Sequence, residues 1–142
     1  MCVIDKMDVD WDIDNRLKPF IKIVIVTLVP KHFEELFCEA TRIIAKVAKP
    51  QLLKVIFYRK QFKIITTEDQ IAVYIKNMIL YDIEKLEAIT DKRMVLAVLL
   101  EELVHALLEI HNEVDTSIKV SELYPEIKAD PITGQYILSN KS

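Results

Sequence analysis

Gly134 is the only glycine in a chain of 142 residues. Glycine is the residue that takes positive φ without steric cost, so this chain must make nearly all of its turns from residues that avoid that region. Glycine-rich phosphate loops are thereby excluded, because neither a GxGxxG dinucleotide turn nor a P-loop can be written from this sequence. Apolar residues are plentiful: 51% of the chain is hydrophobic and 29% charged, which places it among chains that fold around a core. The length predicts one domain over residues 1–142, able to bury roughly two thirds of its unfolded surface.

A formal net charge of -3 and a pI near 5.6 supply no general attraction to phosphate, so no nucleic-acid partner is expected. Two cysteines, Cys2 and Cys38, make neither a disulfide framework nor a CxxC metal knuckle, and a reducing cytoplasm fits them. The apolar run at residues 20–29 has ten residues and contains Lys22, too short and too polar for a membrane span or a signal peptide.

Residues 8–14 alternate aspartate with Val9, Trp11 and Ile13, the period of a strand with carboxylates on one face; the first nineteen residues are an acidic arm or an edge strand. Residues 20–29 read as a buried strand stopped by Pro30, which opens a helix. Phe33, Leu36, Phe37, Ala40, Ile44 and Val47 then recur at three- and four-residue steps, giving an amphipathic helix over residues 31–49 before Pro50. Residues 53–58 and 62–65 suggest a hairpin, and residues 71–75 and 78–81 a second one joined at Lys76-Asn77, running into a helical pattern from Ile83. Residues 92–111 carry a broad leucine-rich face expected of a central helix. Residues 115–122 form a short helical pattern, and residues 125–142 read as an irregular tail. The expected fold is α+β, a mostly antiparallel sheet packed against two main helices.

Glu101, Glu102, His105 and Glu109 interrupt the leucines of that central helix. At about 100° per residue, Glu101 and His105 lie one turn apart on one side. Two donors at i and i+4 suit a divalent metal, and a residue at i+1 is then placed to act on a metal-activated water. The bland alternative is a solvated helix face with a core histidine bonded to a nearby carboxylate.

The segment Glu101-Glu102-Leu103-Val104-His105 resembles the HExxH helix of zincin metallopeptidases, with Glu101 where the first histidine would stand. The likeness extends over residues 50–113, where Ala72-Val73-Tyr74 and Met78-Ile79-Leu80-Tyr81 occupy the place of the zincin edge strand that receives a peptide. It implies a zincin-like fold, zinc as cofactor with Glu101 and His105 as ligands, Glu102 as general base, and a peptide or protein substrate held at a sheet edge. A third ligand from a following helix would be Glu122, or else Glu113 or Asp115. His111 has the spacing of a third histidine, but Leu108 stands where that pattern has glycine, and on a continuing helix His111 lies about 240° around the axis from His105.

The implied function is a metal-dependent peptidase, or a peptidase-derived domain with an altered metal site. The alternative is a non-catalytic interaction or assembly domain of the same fold, which a mean hydropathy of +0.19 favours, as it does a homo-oligomer. Other readings are weaker. Glu102-x-x-His105 matches one half of a di-iron bundle motif, which needs two copies. The aspartates at residues 8–14 lack the glycine and closing glutamate of a calcium loop. Lys54, Arg59, Lys60 and Lys63 suit a guarded strand edge, Tyr124 is a candidate oxyanion donor, and His32 reads as surface.

Overall fold

The β-rich first half and the helical second half share one core, in which two long helices pack on each other and on one sheet. The computed structural model describes residues 7–59 and 77–138. The elements are β1 (Met7–Val9), β2 (Ile21–Ile25), α1 (Lys31–Ile44), β3 (Leu53–Tyr58), β4 (Met78–Asp82), α2 (Ile83–Glu87), α3 (Lys92–Leu107), α4 (Glu113–Leu123), β5 (Ile127–Ala129) and β6 (Tyr136–Leu138).

The main sheet has the order β1-β2-β3-β4 and is mixed. β1 runs antiparallel to β2, with Val9 opposite Ile23, whereas β2–β3 and β3–β4 are parallel, pairing Ile21 with Leu53 and Lys54 with Met78. The expectation of a mostly antiparallel sheet is therefore corrected. The cause lies in connectivity: α1 carries the chain back along the sheet between β2 and β3, so β3 starts from the same end as β2. The partner expected for β3 at residues 62–65, the strand at 71–75 and the segment Ala72-Val73-Tyr74 lie outside the described residues. Asn77, at the expected tight connection, has a φ of 65°.

Alternation works as expected within β3, where Leu53, Val55 and Phe57 are buried and the residues between them half-exposed. Against that face sits α1, which buries Phe33, Phe37, Ala40 and Ile44 and ends one turn earlier than residue 49, in a turn before Pro50. α3 buries Val95, Leu96, Leu99, Leu100, Leu103 and Leu107, residues spread around its axis, because it lies in the core with neighbours on more than one side. Asp91 caps it, accepting from the Arg93 amide at 2.8 Å. At the centre Phe57 stacks on Tyr81 at 5.1 Å, with Phe37 edge-on to both. The Tyr81 hydroxyl donates to the Leu99 carbonyl at 2.6 Å, tying β4 to α3.

Of the alternating residues 8–14, only the start is strand. Trp11 and Ile13 are nevertheless buried, in a loop whose Ile13 amide donates to the Trp11 carbonyl at 2.9 Å and so ends the extended run. Asp8, Asp10 and Asp14 form ion pairs with Lys22, Lys18 and Arg16. Cys38 is buried on α1, and that burial raises its thiol pKa, which suits packing and not nucleophilic chemistry.

As far as residue 138, the tail is not irregular. β5 and β6 pair antiparallel, Ala129 opposite Tyr136, around a turn in which Asp130 Oδ1 accepts from the amides of Ile132 and Thr133 at 2.7 and 3.1 Å. Gly134 closes that turn at φ 76°. A Cβ there would stand 3.1 Å from the Val114 Cα, so the one glycine serves both the turn and the close approach of the hairpin to α4. No helix of the described residues is long and apolar enough to cross a membrane.

Candidate metal centre

The polar interruptions of α3 converge. Around the helix axis His105 falls about 40° from Glu101 and about 60° from Glu102, so all three share one arc. Among the described residues, Glu101, Glu102 and His105 each offer a ligand atom, and these atoms lie within 4.8 Å of one another. All three side chains are half-buried. Burial raises the pKa of both glutamates; a hydrogen bond from Tyr136 opposes the rise at Glu101, and the nearby His105 opposes it at Glu102.

The end of α3 sets the histidine. The helix stops at Leu107, Leu108 caps it, and Glu109 takes a left-handed φ of 55°, the conformation usually given to glycine at this point. Gln51 Nε2 donates to the Ala106 carbonyl at 3.2 Å, satisfying one of the terminal acceptors. The chain therefore folds back within one turn, and the Ile110 carbonyl meets His105 Nδ1 at 2.6 Å. A carbonyl oxygen only accepts, so Nδ1 carries a proton, and Nε2 is the ring nitrogen left to donate a lone pair to a metal. Metal-binding histidines are commonly fixed in this way.

That fold-back overturns the premise of a continuing helix and determines which later residues reach the site. His111 is exposed beyond the turn and is not a member of the donor group. α4 begins at Glu113, behind the cap Asn112, whose side chain accepts from the Asp115 amide at 3.0 Å. Glu113 Oε1 stands 3.4 Å from His105 Nε2, with a side chain 75% exposed. Glu122, the first nomination for third ligand, is corrected: it lies about 13 Å further along α4, exposed, and pairs with Lys119 at 3.4 Å. Asp115 is exposed and outside the group.

A further residue reaches the site that sequence reasoning missed. Tyr136, on β6, donates its hydroxyl to Glu101 Oε2 at 2.8 Å. The signal for it was legible: Asp130-Pro131-Ile132-Thr133-Gly134 is turn chemistry between two short apolar runs. Tyr124, the tyrosine singled out from sequence, has Glu126, Glu39 and Arg93 as its charged neighbours, and burial pushes its pKa up to about 12. Arg59 forks onto Glu87 at 2.7 and 3.1 Å, so it braces β3 against α2. His32 packs on Phe33 at the start of α1.

Beside Glu101 opens a cleft of about 420 Å³, lined by Glu101, Glu113 and Ser117 and by the hairpin residues Thr133, Gln135 and Tyr136. β4, the strand expected to border the site, supplies none of its lining. It runs alongside instead, with Glu102 and Glu101 as the charged neighbours of the Tyr81 hydroxyl.

One nitrogen and two carboxylate oxygens, with the imidazole fixed at Nδ1, are a donor group that could hold a metal ion. No protein-family model, curated protein or solved structure matches the chain.

Proposed function

We propose that this chain is a zinc-dependent hydrolase of zincin-like type, a peptidase or a domain derived from one. The single observation that carries the reading is the orientation of His105, whose Nδ1 is held by the Ile110 carbonyl while Nε2 is left facing Glu113 Oε1 at 3.4 Å, on a helix arc shared with Glu101 and Glu102. Glu101 and His105, two of the three grouped donors, would hold the ion, and Glu113, whose Oε1 stands 3.4 Å from His105 Nε2, would be the third ligand. The chemistry a zinc ion held there would supply is Lewis acidity, by which a water would lose its proton near neutral pH. Glu102, next to Glu101 and half-buried, takes that proton and holds it on its carboxylate; the raised pKa that burial gives it suits a base that must later return the proton. A peptide would pair with β4, which ends the strand order among the described residues and runs beside Glu101 and Glu102.

A second reading, a non-catalytic interaction domain, is favoured by Leu28 and Ile132, which are 86% and 84% exposed. Zinc content after gentle purification, followed by peptide-library hydrolysis with and without zinc, separates the two. The hydrolase reading expects one zinc per chain, and a Glu102→Gln variant that retains it while losing about 10²- to 10⁴-fold in rate. A chain that neither carries nor takes up zinc refutes this reading. A Glu102→Gln variant that loses the metal makes Glu102 a ligand and not the base.

A further inference from the structure

Glu101 Oε2 accepts the Tyr136 hydroxyl at 2.8 Å, a contact between residues 35 positions apart that exists only because the β5–β6 hairpin folds back over α3. Ser117 of α4 is buried and lines the same cleft as Glu101 and Tyr136, so three elements meet beside one carboxylate. A carboxylate held at one oxygen cannot rotate freely, and the held oxygen has one of its two lone pairs engaged. Glu101 Oε1, which the tyrosine does not engage, is then the oxygen better placed to serve an ion.

We propose that Tyr136 is a positioning residue that makes Glu101 a one-oxygen ligand and so selects a small four-coordinate ion such as zinc over calcium. Calcium takes six to eight oxygens and commonly grips carboxylates through both, whereas zinc is served by single oxygens in a tetrahedron. This inference rests on the metal reading above and adds a discriminating element from outside the α3 motif. The hairpin is a structural arm of the centre: Gly134, packed against Val114, lets it approach α4, and Tyr136 reaches across to α3.

The test measures zinc and calcium dissociation constants, by competition with a chromophoric chelator, for the parent, Tyr136→Phe and the control Ile137→Ser on the exposed side of the same strand. Loss of an outer partner to a ligand typically weakens metal binding about 10- to 100-fold. The expected result is a loss of that size for zinc in Tyr136→Phe with no loss for calcium, and no change in Ile137→Ser. Cobalt substitution adds a spectroscopic signature: the visible bands of the parent should have four-coordinate intensity and weaken in Tyr136→Phe as Glu101 grips with both oxygens. A purely structural tyrosine would lower the melting temperature of the metal-free protein and leave both readouts where they were, which overturns the proposal. If Tyr136→Phe does not fold, Ser117→Ala takes its place, with a several-fold loss of zinc affinity expected and an unchanged constant counting against it. A parent that binds no zinc overturns the metal reading itself; a parent that binds while both variants match it overturns only the role of Tyr136.

Discussion

Replacing His105 by alanine tests the site through folding and not through catalysis. In the metal-free protein the substitution removes the hydrogen bond from Nδ1 to the Ile110 carbonyl, worth about 1 kcal/mol. Unfolding entropy near the melting temperature is about 2.1 cal/mol/K per residue, or about 0.3 kcal/mol/K for 142 residues, so the metal-free variant should melt about 3 °C below the parent. Zinc acts separately. Donors gathered only in the native state convert binding into stability, and free zinc at about 100 times its dissociation constant adds about 2.7 kcal/mol, a rise of about 9 °C in the parent. Scanning calorimetry across a zinc titration should therefore show a parent curve that climbs with the logarithm of zinc and a His105→Ala curve that stays flat about 3 °C below the metal-free parent. If the variant climbs in parallel with the parent, His105 is no ligand and the reasoning from its fixed tautomer is wrong.

Further outcomes follow from the core and the turns. Phe37→Ala empties a site with no exposed surface between Trp11, Phe57 and Tyr81 and should cost about 3–5 kcal/mol, read as a lower urea midpoint at unchanged slope. Gly134→Ala forces a side chain into φ 76° and against the Val114 Cα, costing about 1–2 kcal/mol; lost protection of the hairpin in hydrogen exchange should accompany a drop in zinc affinity if Tyr136 is displaced. Asp14 and Asp91 are held below the ordinary aspartate value of 3.8 by hydrogen bonds from Arg16 and Arg93, so the stability they add is present above that value and disappears as pH falls through their lower folded values. Asp14→Asn with Asp91→Asn should thus melt below the parent at neutral pH and approach it in strong acid, and a constant gap at all pH values would refute the assignment.

Local pattern was a sound guide wherever a residue's neighbours in space are its neighbours in sequence. The three- and four-residue spacing from Phe33 to Ile44 specifies α1, the alternation of Leu53, Val55 and Phe57 specifies β3, and the EExxH spacing brings Glu101, Glu102 and His105 onto one arc of α3, because a helix turns by a fixed angle per residue. Strand direction is different, since parallel and antiparallel partners bury the same alternating side chains; only the return of the chain through α1 decided that β2 and β3 run together. The contacts to the site from beyond α3 were likewise beyond local reading. Glu109 at φ 55° turns the chain where the pattern had no glycine, so Glu113 stands at His105 while Glu122 is carried away along α4. Tyr136 reaches Glu101 from 35 residues off. Residue spacing along one helix determined which donors share a face, and the backbone turns after it, whose outcome depends on packing between distant segments, decided what else that face meets.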